Sequence, residues 1–316
     1  MPHPPKVMLN RTVLFVTSRT EEGLPFVCTP EMKIILLGIL ARAQALYHVR
    51  VVAIKFMANH FHMILIVDNP EDIPAFIDRV KTESAHAVNL LLGRRKKTVW
   101  VDGYDSAVLL TPEDVIEKLA YIYTNPQKAS LVDTIEDYPG VSTWKMFQSK
   151  ITSLPCPWIT RPNIPDLADN IGSLDSFIKE RKLQIHELIL YPMSWLECFD
   201  YPMEKETARE QLISRVRQLE AEYRATRKGP VVGAARLRKE VMNTTYVPQT
   251  HGRRMLCISW DVELRIRFIL FVKELRAQAR EVLAKWRKGF TNIPFPSGLF
   301  PPSLPKLSNL LPSEAF

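Results

Sequence analysis

Four side chains could do chemistry together if the fold brought them to one place. Two are histidines. His60 and His62 stand one residue apart in the apolar run FMANHFHMILIV, Phe56 to Val67. In an extended strand alternate side chains share a face. His60, His62, Ile64 and Ile66 then point one way, and Phe61, Met63, Leu65 and Val67 the other. Two imidazoles on one face can share a divalent cation, because neutral imidazole is a versatile ligand. The plainer alternative is a pair of strand histidines with hydrogen-bonded ring nitrogens. Two ligands do not complete a metal site, so a third must come from elsewhere.

The segment Pro112–Thr124 offers one. Its residues can be placed at 100° per step around a helix. Val115, Leu119 and Ile122 make the core side, with Ile116 and Tyr123 close by. Tyr121 falls nearly opposite, beside Asp114, Glu117 and Lys118, and Asn125 lies one turn further on the same side. Core packing accounts for Tyr123 and leaves Tyr121 unexplained. Asn125 has a carbonyl oxygen able to ligate a hard cation. Two imidazoles, an amide oxygen and a phenol suggest phosphoryl chemistry. An ion would neutralise a phosphodiester while the phenolate attacks it, and the tyrosine would hold the phosphodiester covalently.

The elements that must position these groups are legible in outline. Strands are expected over Arg11–Arg19, Val49–Phe56 and His60–Val67, all rich in β-branched residues. Thr29-Pro30 starts a helix through about Tyr47, with Thr29 as N-cap. A second helix runs from about Ile73 to Leu92 and ends at Gly93. TVWV and AVLL, around Asp102-Gly103, are short candidate strands. Thr111-Pro112-Glu113-Asp114 starts the tyrosine helix, expected to end at Asn125-Pro126. The three-residue link between the second and third strands demands an antiparallel hairpin. The order β, α, β, β, α, β, α predicts an α+β architecture, an antiparallel sheet with helices packed on it.

A boundary is expected near residue 150, where SLPCPWITRPNIPDL is Pro-rich and lacks clear periodicity. Residues 1–150 would carry the chemistry. Residues 151–316 would be a mostly helical accessory region, with helices near Ser173–Leu190, Glu204–Arg227 and Asp261–Arg287. The Pro-rich tail is expected to lie along a folded surface.

The composition, 46% hydrophobic and 24% charged, is that of a globular protein. No apolar run is long enough to span a bilayer, and the first residues contain no apolar signal core. Four scattered cysteines with no CxxC pair argue against a zinc ribbon or disulfide scaffold and fit a reducing cytoplasm. Residues 1–150 hold 17 Lys/Arg against 16 Asp/Glu, while 151–316 hold 25 against 18. Nearly all the excess positive charge therefore lies in the second half, and Arg227–Arg254 carries seven basic residues against Glu240 alone. Such a field suits a polyanion, most often nucleic acid.

The motifs resemble those of HUH single-tyrosine transposases. MANHFHMILIV resembles the paired-histidine motif, and LAYIYTNPQKASLV, Leu119 to Val132, the segment carrying the nucleophile. VWVDGYDSAVL and EDYPGVSTW extend the similarity, which covers about residues 10–148. The closest branch is the REP-associated tyrosine transposase group, related to IS200-like transposases. The resemblance implies a five-stranded antiparallel sheet of ferredoxin-like type. It implies metal-binding His60 and His62, the nucleophile Tyr121, and Asn125 as third ligand where insertion-sequence relatives have glutamine. It further implies Mg²⁺ or Mn²⁺, and single-stranded DNA near REP-like hairpins, cleaved to a 5′-phosphotyrosine and a free 3′-hydroxyl. The expected location is cytoplasmic, at the nucleoid, with no membrane partner; monomer and homodimer both stay open. Minimal relatives end near residue 150 of this chain, so 151–316 has no assigned chemistry.

DNA contacts are expected from two basic stretches, Arg94, Arg95, Lys96 and Lys97, and Arg236, Arg238 and Lys239. Trp100 and Tyr104 could stack on bases, although core packing suits Trp100 better. Two rivals remain, a hairpin-DNA-binding protein without catalysis and a His-metal hydrolase using activated water. The first has no use for a phenol beside a metal; the second would tolerate loss of Tyr121.

Overall fold

A computed structural model of the chain describes residues 6–26, 28–200, 203–239 and 255–301. Glu240, Arg253 and Arg254 of the basic stretch, and residues 302–316 of the Pro-rich tail, lie outside them. The strands are β1 Thr12–Arg19, β2 Arg50–Met57, β3 His60–Val67, β4 Asp105–Leu109, β5 Ser153–Pro157, β6 Ile185–Ile189 and β7 Cys257–Ile258. The helices are α1 Pro30–Tyr47, α2 Asp72–Leu91, α3 Pro112–Lys128, α4 Trp144–Gln148, α5 Ile164–Asn170, α6 Leu174–Glu180, α7 Lys205–Thr226, α8 Ala234–Arg238 and α9 Val262–Arg287.

A five-stranded sheet, ordered β2-β3-β1-β4-β7, separates two helical layers. Alternation along β3 decides which side chain meets which layer. Phe61, Met63 and Leu65 enter the core built with α1 and α2. Ile64 and Ile66 enter the core built with α3 and α7. The three pairings among β1, β2, β3 and β4 are antiparallel, whereas β4 and β7 run parallel. The α+β expectation holds, with the sheet mixed rather than wholly antiparallel. The fifth strand comes from residues 257–258, far along the chain. TVWV supplies no strand; Trp100 makes only an isolated bridge to Thr20.

The helix starts follow their capping chemistry. Thr29 accepts a hydrogen bond from Met32 N, with Pro30 in the first turn. Thr111 and Asp114 form a reciprocal capping box, at 3.2 and 3.0 Å. The end of α3 departs from expectation. Pro126 lies inside the helix, which continues to Lys128. Proline removes a donor but leaves its own carbonyl free, and Pro126 O accepts from Leu131 N at 2.8 Å. Asn125 therefore stays on helical geometry, one turn beyond Tyr121.

The second half clothes both layers. Ala208, Leu212, Val216 and Leu219 of α7, at helical spacing, are buried against α3. Arg215 pairs with Glu117 at 2.6 Å. The helix expected over Ser173–Leu190 is instead α6, a turn at Lys182 with φ 48°, and β6. Its partner β5 contains prolines at 155 and 157. Trp158 N donates to Gln184 O and Leu190 N to Thr152 O, so even-numbered residues of β5 make the ladder and the prolines face away. This hairpin lies so close to α1 that a Cβ on Gly38 would meet Pro157 O at 2.1 Å. Gln44 of α1 fastens it, donating to Ile189 O and accepting from Ile189 N, both at 2.8 Å. Leu299, in the described part of the tail, is buried and bridges to Val7, so this part of the tail lies along the folded surface. Among the described residues no helix is long and apolar enough to cross a membrane.

Candidate active site

His60, His62, Tyr121 and Asn125 meet at the interface between the sheet and α3. The His60 and His62 ring centroids are 4.8 Å apart, and the His62 ring is 5.7 Å from that of Tyr121. The Asn125 amide nitrogen is 2.9 Å from His62 Nε2. Phe15 of β1 stacks on His62 at 5.3 Å and fixes its plane. Tyr121 is half-buried rather than on the open surface, because α7 covers the outer side of α3. Asp114, expected on that outer side, is buried at the start of α3, bonded to Thr111 N and Trp260 N. Tyr123 is wholly buried, with its hydroxyl 3.4 Å from Thr143 Oγ1, and has no route to a substrate.

Burial sets the protonation states. It pushes the His60 imidazole down to about 4. His62 is driven well below its ordinary value by burial first, then by His60 and Lys118. Both rings are neutral near pH 7, the form that can ligate a metal. Burial raises Tyr121, Tyr223 adds to the rise, and a hydrogen bond with Asn125 partly offsets it. Tyr121 is therefore a phenol at rest. Two cations flank its ring, Lys118 Nζ at 4.9 Å and Lys128 Nζ at 5.1 Å. Burial and the Lys128 charge hold Lys118 below its ordinary value.

The donor set fits a divalent ion. His60 Nδ1 is 2.9 Å from Asn59 Oδ1, so this nitrogen is oriented from behind and Nε2 remains for a ligand. His62 Nδ1 is buried with no hydrogen-bond partner, an imidazole nitrogen that the protein leaves unsatisfied. Adjacent ligands of an ion with bonds of about 2.1 Å stand roughly 3 Å apart, the spacing of His62 Nε2 and the Asn125 amide. Rotating that amide by 180° presents Oδ1 instead of the nitrogen. Among the described residues no group of three or more His, Cys, Asp or Glu could hold a metal. The three donors His60, His62 and Asn125 are thus formally uncharged, and an anionic substrate would have to supply the charge that compensates a bound ion.

The two basic stretches lie in different places. Arg94–Lys97 follow α2, in the layer opposite α3. Asn89 ties this loop down, accepting from Arg94 Nε and donating to Lys97 O, both at 2.8 Å. Arg95, Lys96 and Lys97 are exposed. Arg236, Arg238 and Lys239 are exposed on and just after α8. Leu237 anchors α8 in a small core with Met57 and Tyr138, against which Ala58 packs. That is the turn leading into His60. Trp100 is buried and donates to Ser84 Oγ, as its core reading expects. Tyr104 is partly buried in the α1/α2 layer, away from Tyr121.

The sequence reading assigned no role to Lys118, Lys128, Tyr223, Trp260 or Arg265. Lys118 and Lys128 had a signal, three residues before and seven after Tyr121, on the same helical side. Trp260 and Arg265 had none. They line an open groove of about 310 Å³ with Tyr121 and Lys118. They reach it because β7 adds to the sheet edge beside α3.

Residues 16–125 match a family model described as "Transposase IS200 like". The matched segment ends on Asn125 and contains His60, His62 and Tyr121. One solved structure, "Structure of the REP associates tyrosine transposase bound to a REP hairpin", is similar at 17% identity and TM-score 0.40. The similarity covers 48% of this chain and 87% of that one. No protein of curated function matches the chain.

Proposed function

From the premise that residues 16–125 belong to the IS200-like transposase family, we propose that the chain cleaves and rejoins single-stranded DNA through Tyr121. The observation that carries this reading is the convergence of Tyr121, Asn125, His60 and His62 from two elements distant in sequence. His60, His62 and Asn125 would hold Mg²⁺ or Mn²⁺. When bound, the ion would neutralise the scissile phosphate and favour the phenolate.

The rest follows from the chain's own groups. Tyr121 loses its proton and Lys118 and Lys128 stabilise the developing phenolate. Its oxygen attacks phosphorus, a tyrosine–phosphate bond forms, and the bond to the 3′-oxygen breaks. The products are a 5′-phosphotyrosine and a free 3′-hydroxyl after protonation. Attack by a 3′-hydroxyl reverses the step and rejoins a strand without a nucleotide cofactor. Strands bearing REP-like hairpins are the preferred substrate class, following the family resemblance, and the exposed basic residues around α8 suit a DNA backbone. A DNA substrate puts the protein's work at the nucleoid.

The test is incubation with labelled hairpin-bearing single strands and Mn²⁺, followed by denaturing electrophoresis. A protein-linked label is expected from the wild type and none from Tyr121→Phe, which keeps the ring and loses the oxygen. An adduct that persists in this variant would refute Tyr121 as nucleophile. Cleaved strands without any adduct would favour activated water instead.

A further inference from the structure

Trp260 is the most exposed large apolar side chain among the described residues, at 79%. Its surroundings are not those of a loose loop. Its backbone N–H donates to buried Asp114 at 3.1 Å, the carboxylate that also caps α3. It directly follows β7 and Ser259, and the next residue, Asp261, caps α9 by accepting from Leu264 N at 3.0 Å. Arg265 Nη1 donates to Ser259 O at 2.9 Å and closes this turn. The backbone is thus fixed at both ends while the indole stands in solvent. Tryptophan so placed contributes nothing to a core.

The groove that Trp260 lines also contains Tyr121. Its acids are already engaged, Asp114 by backbone N–H groups and Glu117 by Arg215. Its cations are Lys118 and Arg265, and Arg265 has further N–H donors beyond the one given to Ser259. An exposed indole on a fixed backbone beside two cations is a combination that grips an unpaired nucleotide. The base stacks and the cations meet its phosphates. A duplex cannot use such a face, because its bases are stacked on one another.

We propose that Trp260 is a stacking platform for one unpaired base flanking the phosphate that reaches Tyr121, with Arg265 and Lys118 contacting the adjoining backbone. Trp260 and Arg265 lie outside the family-matched segment, so the platform itself would be a specificity element supplied by the second half of this chain. It rests on the reading of Tyr121 as a DNA nucleophile for its purpose, though not for its existence.

The test uses the full chain and a fluorescein-labelled oligothymidylate, with a duplex of equal length as control, read by anisotropy at fixed salt. Stacking on an aromatic contributes about 1–3 kcal/mol per base, so Trp260→Ala should weaken single-strand binding by roughly five- to a hundredfold. Trp260→Phe should restore most of it, and duplex affinity should stay within about twofold. Unchanged single-strand affinity in Trp260→Ala, no recovery in Trp260→Phe, or equal loss on duplex would each overturn the platform. So would a wild-type chain with no affinity for the single strand. The adduct assay separates the two readings. Trp260-dependent binding without a Tyr121 adduct keeps the platform and removes the nucleophile. A normal adduct with Trp260-independent binding does the reverse.

Discussion

Tyr121 stands between two unlike regions. On its sheet side lie His60, His62 and Asn125, buried or nearly so, without formal charge, and all within the family-matched segment. On its outer side lie half-buried Lys118 and Arg265 and exposed Trp260, charged or aromatic, two of them contributed by residues past 255. The contrast follows from what each region would do. Holding an ion against a phosphate needs ligands fixed in geometry, and strand and helix backbones provide that. Gripping a flexible polyanion needs exposed charge and flat apolar faces, which tolerate sequence change. The first kind of region leaves a motif and the second does not.

The most drastic way to break the comparison is to remove its outer half. Deleting residues 151–316 takes β7 from the sheet, α7 from α3 and the β5–β6 hairpin from α1. The remaining fragment is expected to lose cooperative unfolding, measured by circular dichroism during heating. A folded fragment with a sharp transition would show the inner region to be self-sufficient.

Changes inside the inner region come next. His60→Ala and His62→Ala should each reduce adduct formation on the order of 10²-fold or more, and a chelator should do the same to the wild type. Full activity in the chelator would remove the metal from the proposal. Asn125→Ala should be milder, because water can replace one oxygen ligand on a hard cation. All three variants should keep single-strand affinity within a few-fold, since grip is assigned to the outer region.

Charge reversal probes the outer region. Arg236→Glu, Arg238→Glu and Lys239→Glu together should weaken binding and flatten the salt dependence of log K, by about 0.7 for each single-strand phosphate that is no longer neutralised. The same reversal at Arg94–Lys97 should do less, because that loop lies on the opposite layer from Tyr121. If the α2 loop has the larger effect, DNA approaches from the other side of the sheet.

A last change sharpens the comparison at its edge, through stability rather than activity. Lys55 lies opposite His62 on β2 and is wholly buried. Its ammonium has no hydrogen-bond partner and sits over the Tyr138 ring at 4.2 Å. Burial, ahead of any charge neighbour, lowers its pKa from 10.5 to about 7. Between those values the unfolded chain binds the proton and the folded chain does not, so stability rises with pH across this window. Lys55→Met should therefore stabilise the fold by a few kcal/mol below about pH 7, with an advantage that shrinks towards pH 10.5. Thermal melts at a series of pH values measure this. An advantage independent of pH would mean that packing, not charge, decides the position.

Periodicity and capping by themselves determine much of this protein. The period of two placed His60 and His62 on one face, and 3.6-residue spacing placed Asn125 with Tyr121. The reciprocal bonds of Thr111 and Asp114 fixed where α3 begins. These are local rules, satisfied within a few residues of chain. They misplaced the end of α3, because Pro126 only removes a donor there and the helix can continue past it. They predicted one long helix where β6 stands, because that segment's ladder partner lies some thirty residues away in β5. Tertiary structure alone decided that the histidine face of β3 meets the tyrosine side of α3 under the cover of α7. It alone decided that residues 257–265 bring Trp260 to the same groove. Pairings over such separations depend on how whole elements pack, and no local pattern encodes them.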